Sequence, residues 1–336
     1  MSELQFIKVK DDDDGQRLER WLKKYVPDMP YFLIQKLLRK GQIRVDGKRA
    51  KPETRISGGQ EIKIPRFYVS DKKREPKKHK ITEEDIIFMR SLVIYEDEDI
   101  IALNKPYGLA VQGGTNTKRH IDGMLEVFQN EEGVLPRLVH RLDKDTSGIL
   151  LLARSAKAAR EIGFTFKNRE VRKIYWSIVT PTPELLDGSI KAPIIKSTGD
   201  YEKMVIDEEE GKFAMTDYVV IESAGRAAAF VAFWPRTGRT HQIRVHAADA
   251  LGSSILGDRK YRAVQDEECK LIEADLEGMD LAKRLHLHAY RLILPHPIKR
   301  GKTLDITAPL APDLVKSWKN FGFNHKYKQD PFADLD

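Results

Sequence analysis

Near the start of the chain, apolar positions recur at helical spacing and then switch to alternation. Leu18, Trp21, Leu22, Tyr25 and Val26 fall three and four residues apart, the stripe of an amphipathic helix that Pro27 ends. Leu33, Ile34, Leu37 and Leu38 repeat the pattern, and Gly41 stands where a left-handed C-terminal cap is needed. Ile43-Arg44-Val45 alternates into Asp46-Gly47, a dipeptide suited to a tight hairpin, and Glu61 to Ile64 alternates again. The pattern predicts a small helix, helix and strand unit over residues 1–66.

Further along, Leu92 to Tyr95 and Ile100 to Leu103 read as strands around an acidic turn, followed by the turn-like Lys105-Pro106-Tyr107-Gly108. Arg137 to Asp143, RLVHRLD, alternates so that Val139, Arg141 and Asp143 share one side. Turn residues 144–148 follow, then the apolar strand Ile149 to Ala153, so Asp143 sits where buried strand meets polar loop. In Lys173 to Val179, Ile174, Trp176 and Ile178 face one way and Tyr175 the other. Ala227 to Trp234 is a strand running into Arg236 to His246, RTGRTHQIRVH, where Thr240 is placed to cap a helix reaching Leu251.

Composition narrows the setting. The 336 residues are 41% hydrophobic, enough for a large domain and a small one, and the longest apolar run, Ala227 to Trp234, is too short for a membrane helix. The N-terminus lacks the apolar core of a secretion signal, and the lone Cys269 excludes an internal disulfide, which together place the chain in the cytoplasm. Net charge is +7, and seven of the 58 basic residues lie between Arg66 and Lys80, a stretch with Pro76 that reads as a solvated linker over 67–82. Such a charge also favours a polyanionic partner. Arg39, Lys40, Arg44, Lys48, Arg49 and Lys51 gather around the second helix and the hairpin as one basic face.

By residue type alone, the candidate chemistry stays open. Asp143 serves equally as a turn cap or as a partner of Arg141; Tyr175 as a packing residue; Lys105 as part of an ordinary turn; Arg239 and Arg244 as phosphate clamps or surface charges. The nine histidines lack metal spacing, since His241 and His246 are five apart and there is no HExxH, so no metal is expected. No glycine-rich phosphate loop appears, so no cofactor is expected either.

The run HRLDKDTSGILLLAR, His140 to Arg154, resembles the signature of the RluA-type pseudouridine synthase family, and the likeness extends from about Leu92 to Pro312. LIQKLLRKGQIRVDGKRAKP, Leu33 to Pro52, resembles the S4 RNA-binding domain. The resemblance implies an α+β fold: a catalytic domain over 83–321 with a mixed, mostly antiparallel sheet, a small S4-like α/β domain before it, and a loose tail over 322–336. It implies Asp143 as the catalytic carboxylate, Tyr175 as the active-site tyrosine and Arg244 as the cation paired with Asp143. It further implies substrate contacts by Arg141, Lys105, Arg239 and His241, and RNA contacts by the basic face from Arg39 to Lys51.

The expected activity is isomerisation of uridine in large-subunit (23S) ribosomal RNA, naked or in an assembly intermediate, by a monomeric enzyme without cofactor. Two rival classes are an RNA-binding assembly protein with an idle catalytic domain and a base-excising glycosylase. Intact Asp143, Tyr175 and Arg244 weigh against the first, and the motifs do not fit the second.

Overall fold

Asp46 and Gly47 take φ of 47° and 73°, the pair of positive values that a tight two-residue hairpin demands. They join β2 (Arg44–Val45) to β3 (Lys48–Arg49) in a four-stranded sheet completed by β1 (Leu4–Lys8) and β4 (Glu61–Pro65), in the order β1-β4-β2-β3. Helices α1 (Leu18–Tyr25) and α2 (Tyr31–Arg39) close over it, and Gly41, at φ 65°, ends the second turn of chain as its position predicts. Trp21, Leu22, Ile34, Ile43, Ile56 and Ile62 form the core of this unit. The computed structural model describes residues 4–27, 29–65, 81–113, 119–197, 203–262, 276 and 278–335. Its two compact units are Met1–Lys80 and Ile81–Asp336. The basic linker falls mostly outside the described residues. Its last residue, Thr82, already caps α3 (Glu83–Ser91) through reciprocal bonds with Asp85.

In the second unit, alternation and apolar runs yield thirteen strands among the described residues: β5 (Val93–Glu96), β6 (Ile100–Lys105), β7 (Arg137–Leu138), β8 (Ser147–Ala153), β9 (Arg172–Thr180), β10 (Asp187–Lys191), β11 (Ile194–Lys196), β12 (Met204–Ile206), β13 (Met215–Ala224), β14 (Ala228–Pro235), β15 (Ser254–Ile255), β16 (Leu287–Pro295) and β17 (Thr303–Thr307). The large sheet runs β10-β13-β14-β9-β16-β8-β6-β5, with β7, β15 and β17 attached beside it. Its described pairings are antiparallel except β16 with β8, so the sheet is mixed and mostly antiparallel, as expected. At that parallel step the backbones approach closely. A Cβ on Gly148, which sits at φ 107°, would lie 2.3 Å from the Ala289 carbonyl oxygen, so only glycine fits there.

α4 (Ala156–Lys167) packs on β6 and β8 and α6 (Pro312–Asn320) on β9 and β14, while α3 and residues 121–128 cover Leu103, Leu150 and Leu152 on the opposite side of β6 and β8. The stretch 322–335 is not a loose tail. Phe323 and Phe332 are buried with Trp318, Phe230 and Trp234, because these aromatic rings supply apolar area that its many polar residues conceal in the sequence. Arg172 pairs with Asp330 at 2.5 Å, and Arg236 donates to the Leu335 carbonyl at 3.1 Å.

Candidate active site

The loop that carries Asp143 is held from beneath. The strand predicted over 137–143 stops at Leu138, and residues 139–146 run as irregular chain. Asp143 is therefore aimed by loop anchoring, and Arg141 is exposed while the Asp143 side chain is 23% exposed. The anchor is Lys105. Expected to touch substrate, it is instead fully buried, and its ammonium donates to the carbonyls of Pro106 (2.9 Å), Leu109 (3.0 Å) and Lys144 (3.2 Å). Burial, with the nearby Arg284 charge, lowers Lys105 to about 7. Three carbonyl partners explain why a cation was buried there: they replace the water that it lost.

A second arm comes from the end of β14. The amide of Gln242 donates to the Met215 carbonyl and the Thr216 hydroxyl, both at 2.9 Å, and accepts from Thr237 Oγ1 (2.7 Å) and the Arg239 amide (3.0 Å). Every bonding position of this buried side chain is used in fixing the turn 237–242. The helix expected from Thr240 starts later and is shorter: α5 (Gln242–Val245), continued by a wide π turn over His246–Ala250. His241, at φ 55°, precedes it.

His241 and Asp143 face each other, Nε2 to Oδ2 at 3.9 Å. Tyr261 Oη accepts from the Met204 amide at 3.0 Å and lies 2.7 Å from His241 Nδ1; in the tautomer that receives the Tyr261 proton at Nδ1, the Nε2 proton faces Asp143. Burial lowers the pKa of His241, so this N–H belongs to a neutral ring.

The predicted Arg244–Asp143 pair is replaced by another. The guanidinium of Arg244 grips Asp258 at 2.6 and 2.7 Å through Nε and Nη2, and Asp258 also accepts the amides of Lys260 and Tyr261. Burial opposes the charge on Arg244, but the bonds and charge of Asp258, with a contribution from Asp143, hold its pKa above the ordinary value. The reason for the swap is geometric: a planar fork prefers a carboxylate presented edge-on at bidentate range. Arg244 thus acts on Asp143 through space rather than by contact.

These pieces enclose a cavity of about 290 Å³ lined by Asp143, Tyr175, Arg141, Arg239, His241 and Arg244, among others. Its volume is that of a small-ligand site. Tyr175 is brought in by β9, and burial followed by the Asp143 charge raises its hydroxyl well above the ordinary value, so it stays protonated. Arg239 is exposed at the rim and donates to the Phe213 carbonyl at 3.1 Å. Among the lining residues that sequence reasoning missed are His140, Phe166 and Lys173. His140 accepts the Leu151 amide at 2.8 Å and stacks on Phe166; burial and the Lys173 charge lower it to about 3. The alternation of β9 held the clue to Lys173, since a residue two before Tyr175 shares its face.

In the first unit, Arg39, Lys40, Lys48, Arg49 and Lys51 are exposed around α2 and the hairpin. Arg44 differs, since it donates to the carbonyls of Gly41 and Gly47, both at 3.0 Å. One cluster has the composition of a metal site: Asp97, Asp99 and His296 lie within 4.8 Å. Its imidazole is committed, however. Nδ1 of His296 accepts the amides of Ile298 and Lys299, leaving Nε2 to donate to Asp97 at 2.9 Å, with no lone pair for an ion. Among the described residues no helix is long and apolar enough to cross a membrane.

Comparison with known proteins agrees with this architecture. Residues 99–249 match the RNA pseudouridylate synthase family model and residues 16–62 match the S4 domain. The chain belongs to the RNA pseudouridylate synthase family. It is 34% identical over 314 residues to ribosomal large subunit pseudouridine synthase C of Pasteurella multocida, covering 93% of this chain and 92% of that one. It is likewise 36% identical over 293 residues to the protein of that name from Rickettsia conorii, covering 84% and 90%. Among solved structures it is similar to human RNA pseudouridylate synthase domain containing 4, with 28% identity and a TM-score of 0.57 over 71% of this chain and 97% of that one.

Proposed function

We propose that this protein isomerises uridine to pseudouridine in large-subunit ribosomal RNA, in the cytoplasm, with Asp143 as the catalytic carboxylate. The observation that carries the reading is the meeting of Asp143 with Tyr175, His241 and the Arg244 charge in one nucleoside-scale cavity. The reaction breaks the N1–C1′ bond, turns the uracil, joins C5 to C1′, gives N1 a proton and releases the C5 proton. It is redox-neutral. Asp143 has three openings: attack on C1′, addition to C6, or removal of the ribose 2′ proton; each uses an ionised carboxylate. The His241 N–H and Arg244 favour that form, and the Tyr175 ring offers the base a stacking face. Since C1′ is inaccessible within a helix, the target nucleotide flips out, with exposed Arg141 at the rim to occupy the gap.

Arg39, Lys40, Lys48, Arg49 and Lys51 supply phosphate contacts from the S4 unit, with Arg44 shaping the hairpin that presents them. The enzyme acts as a monomer on naked RNA or an assembly intermediate. The test is incubation with unmodified large-subunit rRNA followed by pseudouridine mapping. Wild type is expected to produce discrete sites and Asp143→Asn none, with RNA binding retained. Abasic sites instead of pseudouridine, or Asp143→Asn turnover within about tenfold of wild type, a barrier change of only ~1.4 kcal/mol, would overturn the assignment.

A further inference from the structure

Lys173 stands in the cavity without a polar partner among the described residues. In β9 the side chains alternate, so Ile174 and Trp176 enter the core while Lys173 and Tyr175 share the opposite face, and both line the cavity with Asp143. Among the described residues Lys173 forms no hydrogen bond and no ion pair. Its contact is with the Phe166 ring, 5.9 Å from ammonium to centroid. Its neighbours are uncharged, because His140 is held neutral and accepts a backbone amide through Nε2. Lys105 offers the contrast: it is fully buried and three carbonyls receive its protons, whereas Lys173 is half-buried in the cavity wall.

Without a protein acceptor, the half-buried Lys173 ammonium keeps only the water of the cavity, and a bound ligand that displaces this water must supply an acceptor in its place. Burial with no anion to offset it brings Lys173 down to about 8. The missing acceptor is therefore one that arrives with a ligand. We propose that Lys173 is a specificity-determining residue whose ammonium donates to a carbonyl oxygen of the uracil ring when the base lies against Tyr175. This rests on the reading of the Asp143 cavity as the uridine site.

Position favours the base over the phosphate. Residues two apart on one strand face are separated by roughly 7 Å, so a base stacked on the Tyr175 ring extends its edge toward the ammonium. The exposed Arg141 and Arg239 stand at the rim, where the backbone passes. Uracil presents oxygen acceptors, whereas cytosine places an amino donor where uracil has O4, and an ammonium would meet donor with donor.

The test uses full-length protein and a synthetic large-subunit rRNA hairpin with one mapped target, made with uridine, 2-thiouridine or 4-thiouridine there. Sulfur is the poorer acceptor. Wild type is expected to lose roughly tenfold or more in kcat/KM on one of the two thio substrates, the size of one charged hydrogen bond. Lys173→Met should lose about that much on uridine and nothing further on the same thio substrate. Lys173→Met should also melt above wild type without RNA, because an uncompensated charge has been removed; a lysine kept for packing would melt below it. Thio effects of full size in Lys173→Met, or wild-type turnover by that variant, would overturn the proposal. An active Asp143→Asn enzyme would instead refute the uridine-site reading itself.

Discussion

The Lys105 ammonium donates to the carbonyl oxygen of Lys144, one residue past Asp143, and so joins β6 to the loop that presents the carboxylate. Lys105→Met strips three carbonyls of their donor and is expected to lower both stability and kcat, with KM changed less. Native Lys105, at about 7, binds fewer protons than the unfolded chain between there and 10.5, so its contribution to stability improves as pH rises through that window. Melting wild type and variant at pH 7 and 9 should show the gap between them widening, at no more than ~1.4 kcal/mol per pH unit. A gap that narrows would contradict a buried anchor that gives up its proton near neutral pH.

Asp258→Asn should be among the most damaging substitutions in the second unit, although Asp258 lies outside the sequence motifs. It leaves the Arg244 guanidinium buried with half its partner, a loss of about 3–5 kcal/mol by analogy with other broken buried pairs. Urea unfolding gives the number, and a loss below about 1 kcal/mol would mean that Asp143 takes over the pairing.

Acid should unfold the second unit through two histidines. His286 and His288 are buried, and desolvation lowers each to about 4. The unfolded chain protonates them near 6.5 and the native chain does not, so stability falls as pH drops from about 6.5 to 4 and this loss stops below. The slope from the pair is at most ~2.7 kcal/mol per pH unit. Denaturation at pH 7 and 5.5 measures it, and equal stabilities would show that native His286 and His288 take up protons freely.

Tyr175→Phe separates stacking from proton transfer. The phenylalanine ring keeps the platform, so RNA binding should persist, while release of tritium from C5-labelled uridine should slow by roughly a hundredfold if the oxygen takes the C5 proton. Because burial and Asp143 keep the phenol protonated, the wild-type rate should then climb with pH across the neutral range. Wild-type release by Tyr175→Phe would leave the ring as a stacking surface only.

Much of this was legible in sequence because periodicity reports faces: the helices around Trp21 and Ile34, the strand of Tyr175 and the hairpin at Asp46-Gly47 all lie where spacing put them. What failed depended on partners distant in sequence. Lys105 is expected at the substrate and Arg244 at Asp143, yet one is consumed by carbonyls up to 39 residues away and the other by Asp258. The 139–143 alternation was overridden by loop anchoring, and nothing local marks Phe332 as core. Charge without its partner does not say whether a residue faces ligand or protein.

The ion pair between Arg172 and Asp330 spans 158 residues of chain and lies at the beginning of the strand that bears Lys173 and Tyr175. At roughly 5–20 residues per second, a ribosome that has just made Tyr175 needs about eight to thirty seconds more to supply Asp330 and Phe332. During that interval, β9 waits for its clamp and for the β16 strand beside it. The first unit meets no such delay, because β1 and β4 lie within sixty-five residues of one another. The Asp143 cavity is thus a late product of synthesis, and a pause or frameshift shortly before Asp330 would leave a finished first unit joined to an unfinished second one.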